Sequence, residues 1–152
     1  DYLLLDTGAG VSKDILAFIS ASEELIVITT PEPTSLTDAY SLIKVTDHFK
    51  LKTKVKIVVN KAFTKEEGEE TFNKMLRAVS RFLKIEVEYL GYILDDRKLV
   101  QSVRAQKPFI LLYPNCDAAK NVESIAKKIS GESGSSSESV KGLFKKILSA
   151  FS

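Results

Sequence analysis

Short apolar runs alternate with helical patterns along the first three quarters of this chain, and that alternation restricts the folds open to it more than any other feature. The runs occupy residues 2–5, 25–30, 55–59, 87–93 and 109–113 and are rich in Ile, Leu, Val and aromatic side chains. The first, second and last lack period-two alternation, which predicts strands covered on both faces. Amphipathic stretches lie between them. The clearest spans residues 64–83, where Phe72, Met75, Leu76, Val79, Phe82 and Leu83 fall on one stripe. It opens with Thr64 and Glu67 at capping-box spacing. Ser12 and Ser35 are the expected N-caps of the two preceding helices. Strand–helix repetition of this kind predicts an α/β fold, a mainly parallel sheet with helices on both faces.

The pattern stops at Ser130. Residues 131–139, GESGSSSES, contain only Gly, Ser and Glu, cannot bury apolar surface, and read as a flexible linker. The expected organisation is one α/β unit over 1–130, the linker over 131–139 and a terminal amphipathic helix over 140–152. Because the first strand is already under way at residue 2, the chain reads as the C-terminal part of something larger.

Composition removes several function classes. Cys116 and His48 are the only residues of their kinds, so an internal disulfide is excluded and no Cys/His metal-ligand set exists. A net charge of +2, from 22 basic and 20 acidic side chains, gives no global pull toward nucleic acid. Lys74, Arg77, Arg81 and Lys84 could form a basic stripe on one helix, but a solvated helix face has the same composition. No apolar run approaches the roughly 18 residues that a membrane span needs.

The candidate site begins at Asp6, which closes the first apolar run. Ligands of open parallel sheets bind beyond the carboxyl ends of the strands. A carboxylate there can hold a hydrated magnesium ion or orient a water beside a terminal phosphate. Gly8 and Gly10 allow φ > 0 and a close approach of backbone amides to that phosphate. An ordinary strand-to-helix turn uses the same residue types. Asn60, at the end of the third run, carries the paired donor and acceptor that read an adenine edge, and is equally a strand-end turn residue. Glu32 and Asp38 flank a helix start, where carboxylates also complement the macrodipole.

Taken together and in order, the stretches DYLLLDTGAGVSKD, VITTPEPTSLTDAYSLIK, VVNK, LGYILDD and SVRAQKPF resemble the deviant Walker ATPases of the MinD/ParA type. The similarity is greatest to their FlhG branch, regulators of flagellar number and placement, and then to MinD, and it covers residues 1 to about 114. The resemblance implies Asp6 as the catalytic Walker B-type carboxylate, holding Mg2+ directly or through water. It implies Thr7, Gly8 and Gly10 as the switch turn sensing the γ-phosphate of ATP, and Asn60 as the adenine contact. Ile93, Leu94 and Asp95, with Asp96, would wall the base, Leu94 standing where many relatives carry proline. Glu32 and Asp38 would lie near the nucleotide and the interface of an ATP-dependent homodimer. The family's Gly-rich phosphate loop with its two lysines is not among these 152 residues. ATP hydrolysis is therefore expected of the intact protein, and the chain alone is expected to be inactive.

At the far end, Val140, Leu143, Phe144, Ile147, Leu148 and Phe151 follow helical spacing, with Lys141, Lys145 and Lys146 on the other face or its boundary. This is the pattern of a helix lying in a membrane interface, and the linker before it disfavours docking on its own domain. Two such helices on one dimer would bind anionic membrane far better than one. The expected setting is the cytoplasm, peripheral on the inner face of the cell membrane. Partners implied by the resemblance are the GTPase FlhF and components of the flagellar C-ring. Division-site regulation of the MinD type is the alternative, DNA partition of the ParA type a weaker one, and a non-catalytic adaptor the last.

Overall fold

The computed structural model describes residues 2–51 and 53–132. Gly131 and Glu132, the first two residues of the linker expected over 131–139, still belong to the last helix, while the rest of that linker and the terminal helix expected over 140–152 lie outside the described residues. Three strands, β1 (Glu24–Thr29), β2 (Lys54–Ala62) and β3 (Val87–Leu94), pair in that order, both pairs parallel. Helices α1 (Lys13–Ala21), α2 (Pro33–His48), α3 (Lys65–Phe82), α4 (Arg97–Arg104), α5 (Phe109–Leu112) and α6 (Asp117–Glu132) complete the described residues.

Consecutive parallel strands need crossover helices, and α2 and α3 supply them. Their apolar stripes close over Val55, Ile57 and Val59 of β2, together with Val27, Ala39, Ile43, Phe72, Met75 and Val79. On the second face α6 lies so close to β3 that a Cβ at Gly91 would stand 2.9 Å from Ile125 Cγ1. Helices thus cover both faces of a parallel sheet, as the alternation predicts.

Sequence expectation and structure part company at several places. β2 is the strand buried on both faces, through Val55, Ile57, Val58 and Val59. β1 is not, because Ile28 on its second face is 62% exposed. Residues 2–5 form no strand; Tyr2, Leu3 and Leu4 are exposed and no described backbone ladder reaches them. A strand exists only through a partner, and an apolar run cannot say whether one is present. Residues 109–112 form the short helix α5 instead of a strand, started by Pro108, whose carbonyl accepts from Leu111 and Leu112. Length and period do not separate a four-residue apolar helix from a strand.

Two of the three expected caps are present. Ser12 Oγ accepts from Ile15 N, and Thr64 Oγ1 accepts from Glu67 N at 3.1 Å. Glu67 returns its carboxylate to Phe63 N, one residue earlier than the usual box. Ser35 is not a cap. α2 begins at Pro33 behind Glu32, since proline at the first helical position forgoes an amide that would be unpaired anyway.

Candidate functional site

All three strands run the same way, so their carboxyl ends share one edge of the sheet. At the end of β1 the freed Ser35 side chain ties strand to helix. Its Oγ accepts from Thr30 N at 2.9 Å and lies 3.1 Å from Thr29 Oγ1, which is buried. Thr30 Oγ1 in turn donates to Glu32, fixing that carboxylate beside the strand end. Asp38, farther along α2, is exposed.

At the end of β2 the pairing with β3 slips. Val59 pairs with Tyr92 and Ala62 with Leu94, so Asn60 and Lys61 together oppose Ile93. This is a β-bulge, and Lys61 takes φ of 56° to make it. Asn60 Oδ1 accepts from Lys61 N at 2.9 Å, which orients the amide on the rim of the sheet. One acceptor lone pair is thereby occupied, and among the described residues no other hydrogen bond takes the second or the NH2 protons, which a base edge could use.

The third strand end lies beside it. Asp95 N donates to Ala62 O at 2.9 Å, and Leu94 N donates to Asn121 Oδ1 of α6 at 3.1 Å. Ile93 and Leu94 still belong to β3, so the expected wall is a strand end followed by the Asp95–Asp96 turn. Asp96 caps α4 by accepting from Lys98 N at 2.9 Å. That bond, with smaller help from the Cys116 thiol and the amides of Ala118 and Asp117 opening α6, holds the Asp96 carboxyl below the ordinary aspartate range against partial burial.

Asn60, Ile93, Leu94, Asp95 and Glu32 thus gather at the carboxyl edge. Asp6, Thr7, Gly8 and Gly10 are exposed in the segment leading into α1, and no described hydrogen bond joins their side chains to that edge. Gly10 has φ of 97°, a conformation that L side chains rarely adopt. The basic stripe is solvated: Lys74 pairs with Glu70 at 3.1 Å, and Arg81 lies over the Phe82 ring. Asn121 is the residue of this edge that motif and spacing do not single out. The one signal in its favour is its type, since an amide that competes for backbone partners is out of place inside a helix.

Among the described residues no three His, Cys, Asp or Glu side chains converge to hold a metal by themselves. A magnesium ion carried by a nucleotide takes one or two carboxylates, with phosphate oxygens and water supplying the rest. The donors present, with Asp6 as a lone exposed carboxylate, fit that mode and not a protein-only cage.

The ParA family model, described as NUBPL iron-transfer P-loop NTPase, matches residues 1–130. The chain belongs to the ParA family of P-loop NTPases. It is 31% identical over 129 residues to the antiactivator FleN of Pseudomonas aeruginosa, covering 85% of this chain and 46% of FleN. It is 31% identical over 154 residues to the flagellum site-determining protein YlxH of Helicobacter pylori, covering 97% of this chain and 52% of YlxH. Identity to the septum site-determining protein MinD of Bacillus subtilis is 26% over 157 residues, covering 99% of this chain and 56% of that MinD. The chain spans about half the length of these curated relatives.

A solved structure shares the fold at 20% identity. The septum site-determining protein MinD of Pyrococcus horikoshii OT3, complexed with Mg-ADP, superposes with a TM-score of 0.56 over 74% of this chain and 43% of its own.

Proposed function

We propose that the whole protein is a nucleotide-switched ATPase of the MinD type that dimerises with ATP, binds the inner face of the cell membrane reversibly, and regulates flagellar number or placement. The observation that carries it is the meeting of Asn60 and the Leu94–Asp96 turn on one edge of a parallel sheet, in a ParA-family chain. The flagellar client is supported by the likeness to a flagellum site-determining protein over 97% of the chain. A septum-site role of the MinD kind is the second reading, favoured by the likeness to a septum site-determining protein over 99% of the chain at the lower identity of 26%.

Asn60 contacts the adenine edge, and Ile93, Leu94 and Asp95 shape the wall beside it. Asp6 orients the attacking water and anchors magnesium, while Thr7, Gly8 and Gly10 follow the γ-phosphate. Bound magnesium supplies charge neutralisation on the phosphates. Glu32 and Asp38 lie toward the dimer interface. FlhF and C-ring components are the protein partners, and anionic lipid is the surface partner.

The membrane arm is tested by sedimenting the whole protein with anionic vesicles. Residues 140–152 should give ATP-enhanced binding, and Phe144→Glu with Ile147→Glu should abolish it without moving the thermal midpoint. Vesicle binding that is absent from the wild type, together with early unfolding of the double variant, would make this segment a docked core element.

A further inference from the structure

β3 ends the order β1-β2-β3, so no described strand meets its outer side. Side chains of α6 do so instead. Lys128 Nζ donates to Leu90 O at 2.8 Å, and Asn121 Oδ1 accepts from Leu94 N at 3.1 Å. The second contact joins residues 27 apart at the point where strand becomes turn. On the inner side one backbone bond, Asp95 N to Ala62 O, ties the same turn to the bulge that carries Asn60. Behind it, Asp96 accepts from Lys98 N in the first turn of α4 at 2.9 Å. The turn is therefore held from three directions, by a backbone bond, by the Asp96 carboxylate and by the neutral amide of Asn121. Asparagine is a poor residue for a helix interior, because its amide competes for backbone partners. Here the amide leaves its own helix to satisfy another element.

We infer that Asn121 is a positioning residue of the nucleotide site: by accepting from Leu94 N it holds the Leu94–Asp96 turn at the height of Asn60 and so sets how tightly the base of bound ATP is gripped. The inference rests on the nucleotide reading above. Asn121 makes no described contact with the Asp6 segment, so its influence is assigned to binding and not to the chemical step. Without the acceptor, a part-buried amide loses its partner and the turn can swing away from the bulge.

The test uses the whole protein with magnesium-ATP and compares wild type, Asn121→Leu, which keeps the shape and removes the acceptor, and Asn121→Asp, which keeps the acceptor. Asn121→Leu should raise KM for ATP roughly three- to tenfold, the effect of one neutral hydrogen bond, with kcat unchanged. Asn121→Asp should restore KM toward the wild-type value. An unchanged KM in Asn121→Leu, or a fall in kcat with KM intact, overturns the assignment. Should Asn121→Leu prevent folding, Asn121→Ala carries the same comparison. A wild-type protein that neither binds nor hydrolyses ATP removes the nucleotide reading itself, an outcome distinct from variants that match an active wild type.

Discussion

Asn60 is held by its neighbour before any ligand arrives: the Lys61 amide occupies one lone pair of its side-chain oxygen, so the amide plane is set in advance. Pre-set geometry lowers the ordering cost of binding. Asn60→Ala should therefore weaken ATP binding and narrow the preference for ATP over GTP, as titration calorimetry would read; unchanged affinities would remove the base contact. Asp96 gives a second residue-scale expectation, in pH. Its folded-state pKa lies below the ordinary value, so its contribution to stability is present above about pH 4 and fades as pH falls through the folded value. Asp96→Asn should be less stable than wild type at pH 7 in urea melts, with the difference shrinking below about pH 4. A constant difference across that range would contradict the capping role. Asn60 is legible in the sequence as a strand-end amide. The bulge that aims it is not, because a bulge is a property of the register between two strands. Asn121 is hidden for a related reason, its partner lying 27 residues away.

Elements with a strong period or a complete capping signature are read correctly. The α3 stripe places Phe72, Met75 and Val79 in the core with Leu76 and Leu83 packed against them, and Thr64 starts the helix at the residue its spacing predicts. Phe82, expected on the same stripe, is instead 67% exposed at the last turn, where the helix runs past the core. Thr64→Ala should cost about 1 kcal/mol of domain stability in chemical denaturation, and Thr64→Ser should be close to neutral. Equal stability of wild type and Thr64→Ala would mean that Glu67, through Phe63 N, carries the cap alone. The misread elements are those whose state depends on something outside the window. Residues 2–5 carry strand composition without a described partner, and residues 109–112 carry it beside a proline that starts a helical turn. Ser35 has the right type and spacing for a cap, yet Pro33 starts α2 earlier and frees the hydroxyl for the end of β1.

At the scale of the molecule, the parallel sheet is what makes a site possible. It brings three strand ends to one edge, where Glu32, the Asn60 bulge and the Leu94–Asp96 turn stand together. The alternation of runs and stripes is sufficient to foresee that layering, since few other folds satisfy it. The relation of Asp6 to the edge is the part that neither strand pairing nor a described side-chain contact fixes, and it carries the chemistry of the proposed ATPase. Turnover of magnesium-ATP by the whole protein, measured for wild type and Asp6→Ala, is the decisive measurement. Asp6→Ala should keep its fold and its thermal midpoint while hydrolysis falls roughly a hundredfold or more. Wild-type turnover in Asp6→Ala would contradict that chemistry.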